Sequence, residues 1–180
     1  MGARPALRGY IASVAGFAIA CAMGVTGGSA AASAGERLKA GDRFPPVKLR
    51  PISKASYKAS DHKDKVIVYD VGASWAHGAD EALPYYKVLL AKYKKRGLRV
   101  VAINIDDDER DALKHIKGVS GEFPVLYDQG KAFVKSIEPE GFPMVYVTNR
   151  RGIVRDVIRD YCENEFDLLE KRIVKVLDEK

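Results

Sequence analysis

Residues 66–79, Val-Ile-Val-Tyr-Asp-Val-Gly-Ala-Ser-Trp-Ala-His-Gly-Ala, constrain this chain more than any other stretch. A β-branched run from Val66 to Val71 closes on Trp75, and a helical pattern begins almost at once, so the segment reads as a buried strand feeding a helix through a minimal loop. That junction predicts Ala76 to Ala79 in the first helical turn, at the carboxyl end of a central strand. Helix N-termini carry unpaired N–H groups and the positive end of the dipole, and both stabilise a thiolate or another anion. Here the outer two of the four positions are alanines. A methyl group has neither a lone pair nor an acidic proton, so no environment activates it.

The helix is expected over about 77–96, with Leu83, Val88, Leu89 and Tyr93 on its apolar side. Pro84 removes a backbone donor and predicts a kink, and Gly97 is the stop. A second buried strand follows over Leu98–Ile105, then Asp106-Asp107-Asp108-Glu109. Carboxylates at a strand-to-helix junction cap the next helix, here 109–117, and that reading outweighs a hard-cation site. A segment at Glu122–Asp128 and a short helix over 131–136 precede Gly141-Phe142-Pro143-Met144-Val145-Tyr146-Val147. Asn149-Arg150-Arg151-Gly152 then marks a hairpin turn, Ile153–Arg159 an edge strand, and 164–177 a terminal helix with Phe166, Leu169, Ile173 and Leu177 on one face.

Asp70 in the strand, Ala-x-Trp at 73–75, the four residues Ala76, His77, Gly78 and Ala79, and Pro84 beyond them resemble the thioredoxin fold around its Cys-x-x-Cys motif, with Ala76 and Ala79 in the cysteine places. Gly41-Asp42-Arg43-Phe44-Pro45-Pro46-Val47-Lys48-Leu49 resembles the entry strand of the TlpA/ResA, or redoxin, branch of that superfamily, and Glu122–Asp128 its inserted segment. The resemblance covers about residues 41–180. It implies an α/β fold, thioredoxin-like: a central mixed β-sheet flanked by helices, an N-terminal extension strand and hairpin over Lys54–Asp64, and an inserted helix before the second half. It also implies a cis bond before Pro143, opposite the motif helix, where the backbone of an extended peptide pairs. Gly72 departs from the pattern, which has an aromatic there.

Asp70 aligns with the acid that lies behind the second cysteine in the family, and burial without that partner is expected to raise its pKa. Trp75 has two readings, a peptide-contacting rim beside Phe142 and Met144, or core packing. His77 is expected as an exposed residue at the helix start. His62, His77 and His115 show no zinc-ligand spacing, so no metal and no cofactor is implied. The expected activity is binding of a protein or peptide partner in the groove at Pro143, without redox chemistry. The alternative is a thiol-disulfide oxidoreductase, either through Cys162 as a single exchanging thiol or because Ala76 and Ala79 stand where an active parent carries cysteines. Cys162 otherwise behaves as a small hydrophobe.

The first 34 residues differ from the rest: Arg4 and Arg8, an apolar stretch over about 10–25, and Ala32-Ser33-Ala34 before Gly35 have the form of an export signal. Residues 35–40 read as a linker and 41–180 as one domain. Cleaved secretion leads; a lipoprotein signal at Ala18-Ile19-Ala20-Cys21 and an uncleaved anchor stay open, and these are the only membrane links expected. Location is therefore extracytoplasmic, periplasmic or secreted. Cleavage lowers the formal charge from +6 to +4 and leaves Cys162 as the one cysteine, so no internal disulfide is available. The cations are interspersed with acids and lack an interleaved aromatic platform, which argues against nucleic acid.

Overall fold

The computed structural model describes residues 37–159 and 166–179. The export segment 1–34, the first two linker residues and Cys162 lie outside the described residues. Among those described, no helix is long and apolar enough to cross a membrane.

Six strands form one mixed sheet in the order β1-β4-β3-β2-β5-β6. They are β1 (Arg50–Pro51), β2 (Val66–Gly72), β3 (Leu98–Asn104), β4 (Val125–Tyr127), β5 (Met144–Thr148) and β6 (Val154–Arg159). β2, β3 and β4 run parallel, while β5 runs antiparallel to β2 from Ile67↔Thr148 to Val71↔Met144. The helices are α1 (Ala79–Tyr93), α2 (Glu109–His115), α3 (Ala132–Ile137) and α4 (Phe166–Leu177).

Because successive strand residues face opposite ways, β2 feeds two cores. Val66 and Val68 join Tyr86 and Leu89 of α1 and Leu169 and Ile173 of α4 on one face. Ile67, Tyr69 and Val71 join Phe44, Tyr146, and Val134 and Ile137 of α3 on the other. The continuous apolar run of β2 is thus the signature of a strand covered on both sides.

Local sequence explains the boundaries. Gly97, at φ 99°, closes a short 3₁₀ turn over Lys94–Arg96 after α1. Asp108 caps α2 by accepting from the Arg110 amide, and buried Asp128 accepts from the Phe133 and Val134 amides to start α3. Asn149 holds the β5–β6 turn by accepting from the Arg151 and Ile153 amides.

Several expectations change. The entry segment Gly41–Leu49 forms no full strand; Gly41 and Phe44 donate to Val154 and Gly152 and Arg43 bridges Ile153, after which Pro45 and Pro46 have no N–H to continue. The hairpin expected over Lys54–Asp64 is replaced by a 3₁₀ turn at Ala59–His62. On α1, Val88 is 46% exposed, while Ala82, Tyr86 and Leu90 are buried beside Leu83 and Leu89. Of the four residues expected on the apolar side, Leu83, Leu89 and Tyr93 pack in or against the core and Val88 does not, while Tyr86 meets Phe123 edge-on.

Leu89→Ala is expected to lower unfolding stability by about 2–5 kcal/mol, whereas Val88→Ala, one residue away, changes it by less than about 0.5 kcal/mol. Urea denaturation of the two variants distinguishes this packing from the periodicity read off the sequence.

Candidate functional site

β2 ends at Gly72, and the chain makes two successive turns before α1 begins. The Ala76 amide donates to the Ala73 carbonyl at 3.0 Å and the Ala79 amide to Ala76 at 3.2 Å. Gly78, at φ 73°, is the left-handed N-cap, a conformation in which a residue with a Cβ is strained. The helix therefore starts at Ala79, and Ala76 lies one turn earlier rather than inside it. Both methyl groups are buried, and His77 between them is exposed.

The loop is pinned from the neighbouring strand. Asp106 accepts from the Ser74 hydroxyl at 2.9 Å, from the Ser74 amide at 3.1 Å and from the Asn104 side chain at 2.8 Å, and is itself 2% exposed. Only Asp108 of the acidic run serves as the expected cap; Asp107 pairs with Lys131. The signal for the different role of Asp106 is its place directly at the end of β3, level with the turn after β2.

The Phe142–Pro143 peptide bond is cis and opens β5. Trp75 is 60% exposed, and its ring meets Phe142 edge-on at 6.0 Å between centroids. Core packing of Trp75 is thereby replaced by the rim arrangement. Met144 is not exposed there: it is 2% exposed and lies in the cluster of Val71 and Tyr146, against which Phe142 also packs. The backbone N–H and C=O of Phe142 make no hydrogen bond to a described residue.

Behind the Ala79 methyl group lies a cavity of about 20 Å³, walled also by Asp70, Gly72, Asn104, His115 and Pro143. A Cβ at Gly72 would come within 3.6 Å of the Pro143 Cβ, an ordinary contact, so the glycine widens this space without being demanded by it. One oxygen of Asp70 has no hydrogen-bond partner. Burial pushes the Asp70 carboxyl up to about 7, partly offset by a hydrogen bond from Tyr86. The cavity has room for a single water, the partner such an oxygen normally finds. His115 borders the same cavity, its largely buried ring 3.1 Å from the exposed carboxylate of Asp80. Sequence spacing gives no hint of that pair, because α1 and α2 meet only in the fold.

The site thus offers an aromatic rim, a peptide unit that bonds no described residue and a buried acid, but no nucleophile at either motif position. Among the described residues no cluster of His, Cys, Asp or Glu has a metal-binding arrangement.

Comparison with known proteins agrees with this architecture. A family model, Redoxin, matches residues 39–173. The thiol-disulfide oxidoreductase ResA of Bacillus cereus is 23% identical, the match spanning 78% of this chain and 80% of that protein. A crystal structure from Chlorobium tepidum, named as a thiol:disulfide interchange protein DsbE, superimposes with a TM-score of 0.71 at 29% identity, covering 78% of this chain and 99% of the other. The thioredoxin domain of a thiol-disulfide oxidoreductase from Bacteroides vulgatus gives 0.63 at 17% identity, over 76% and 99%.

The folded Asp70 carboxyl holds its proton to about pH 7, while the unfolded chain releases it near 3.8. The folded state therefore binds more protons between those values, and stability falls as pH rises through that window, by at most on the order of 4 kcal/mol. Urea titrations at pH 4, 5.5 and 7.5 are expected to show this slope, and Asp70→Asn to flatten it.

Proposed function

The chain belongs to the Redoxin family, related to ResA and DsbE thiol-disulfide proteins and thioredoxin-like in fold, and from that premise we propose that it is an extracytoplasmic binding module without dithiol chemistry. The observation that carries the reading is the pairing of an exposed Trp75–Phe142 rim with methyl groups at both motif positions. Disulfide exchange needs a thiolate to attack and a second thiol to resolve the mixed disulfide. Ala76 and Ala79 supply neither.

The remaining features suit recognition of an extended polypeptide. The N–H and C=O of Phe142, which make no hydrogen bond to a described residue, can each bond a partner backbone, as in strand addition, and Trp75 gives a large rigid contact at low conformational cost. Asp106 and Asn104 keep the Trp75 loop in place through Ser74, so the rim is formed before a partner arrives. The proposed contacts are Trp75, Phe142 and the backbone at Pro143; Met144, 2% exposed, lies in the core cluster against which Phe142 packs. The export-type start, Arg4 and Arg8 before an apolar stretch, supports the location.

Two measurements test this. The unmodified protein is expected to show no disulfide exchange on a model substrate, and the Ala76→Cys, Ala79→Cys double variant to gain it; activity in the unmodified protein would point to Cys162 and sink the redox-silent reading. Trp75 is the sole tryptophan, so its emission reports the rim directly. Titration with an unfolded, alkylated polypeptide is expected to change that emission saturably, and Phe142→Ala to weaken the binding about tenfold.

A further inference from the structure

A second recess lies at the other end of β2, far from the Trp75 loop. It has a volume of about 510 Å³, within the range of small-molecule sites. The amino end of β2, the 3₁₀ turn at Ala59–His62 and the β5–β6 turn enclose it.

Its apolar side is aromatic and proline-rich. Phe44 and Tyr69 stack at 3.7 Å with planes 5° apart, and Tyr57 lies beside the His62 ring at 5.1 Å. Pro45 and Pro46 continue that wall. The hydroxyls of Tyr57 and Tyr69 have no hydrogen-bond partner among the described residues. Burial raises the pKa of both phenols, so they stay protonated and available as donors.

Its rim is cationic. Lys48, Lys63, Lys65 and Arg151 line it, and Asp64 is the one carboxylate that does. None of these four cations makes a side-chain ion pair or hydrogen bond to a described residue. Arg151 differs in this from every other described arginine. Arg155 and Arg172 pair with Glu179 and Asp156, for example, and Arg43, Arg99 and Arg150 donate to backbone carbonyls. Neighbouring Arg150 is committed to the end of α4 through the Leu177 and Glu179 carbonyls, whereas Arg151, at the tip of the turn, makes no side-chain ion pair with a described residue. Arginine presents a planar fork suited to carboxylate, sulfonate or phosphate.

We propose that this recess binds a small organic anion with a flat apolar body, an aromatic carboxylate, sulfonate or phosphate, its charge held by Arg151 and the lysines and its ring against the Tyr57 and Pro46 side. The charge balance selects an anion, and the aromatic and proline wall selects against a bare inorganic one. This site is separate from the Trp75 rim and does not depend on its function.

The test is titration of the isotope-labelled protein by NMR with 2-naphthoate, 2-naphthol and inorganic phosphate as probes. Naphthoate is expected to bind saturably, shifting Tyr69 and Gly152 and leaving Trp75 unmoved, with naphthol and phosphate each at least about tenfold weaker. Arg151→Ala with Lys63→Ala is expected to weaken naphthoate at least about tenfold, and Lys171→Ala with Lys175→Ala to leave it unchanged. Absence of saturable naphthoate binding, equal binding of naphthol or of phosphate, or shifts confined to the Trp75 loop would each overturn the proposal. Both rim residues are exposed, so the paired variant keeps its fold, checked by its thermal unfolding.

Discussion

β2 is bonded on both edges and covered on both faces, and every feature of functional interest hangs from one of its ends. Its register with β3 runs unbroken from Val66↔Leu98 to Gly72↔Asn104, so the two strands finish level. That levelness is what lets Asp106, just past β3, reach Ser74, just past β2. A parallel pair has evenly spaced bonds and no room for slippage when both faces are buried, since a one-residue shift would turn Val66 and Val68 out of one core and Ile67 and Tyr69 out of the other. The position of the Trp75 loop is therefore a consequence of core packing remote from it.

The same alternation puts Asp70 where a carboxylate is costly. It shares a face with Val66 and Val68, under α1, with Tyr86 as its hydrogen-bonding neighbour. The resemblance to thioredoxins implies a thiol above this position; here Asp70 and Ala79 wall one small cavity. An acid with no proton acceptor above it contributes nothing to exchange chemistry, yet burying it opposes folding whenever it is ionised. Neutrality up to about pH 7 and a one-water cavity are how the fold accommodates it.

Much of this was legible in the residues. The β-branched run of β2, the stop at Gly97, the Asn149 turn and the α4 face all follow from short-range chemistry, and the structure has them within a residue or two. The start of α1 was less legible, because a left-handed Gly78 inserts a turn that composition does not distinguish from a helical one. Tyr86 and Val88, two residues apart, point to nearly opposite sides of the helix, and the buried set Ala79, Ala82, Leu83, Tyr86, Leu89 and Leu90 keeps the helical spacing that leaves Val88 out. Met144, two residues after Phe142, lies within the same cluster against which Phe142 packs, a burial that spacing along the strand does not distinguish from a place at the rim. Asp106, the His115–Asp80 pair and the basic recess depend on contacts between distant elements, which no local pattern encodes.

The two ends of β2 also differ in what they ask of a ligand. At the carboxyl end the groups on offer are an exposed indole and a peptide unit that bonds no described residue, which suit the proposed extended chain. At the amino end they are phenols, prolines and cations without a described ion-pair partner, which suit the proposed compact anion. Tyr69 belongs to the second site and Asp70 to the first, adjacent in sequence and on opposite faces of the strand. The two sites are joined by the backbones of β2 and β5, each hydrogen-bonded to a neighbouring strand on both sides. The physical expectation is two independent sites on one rigid support, and not a coupled pair.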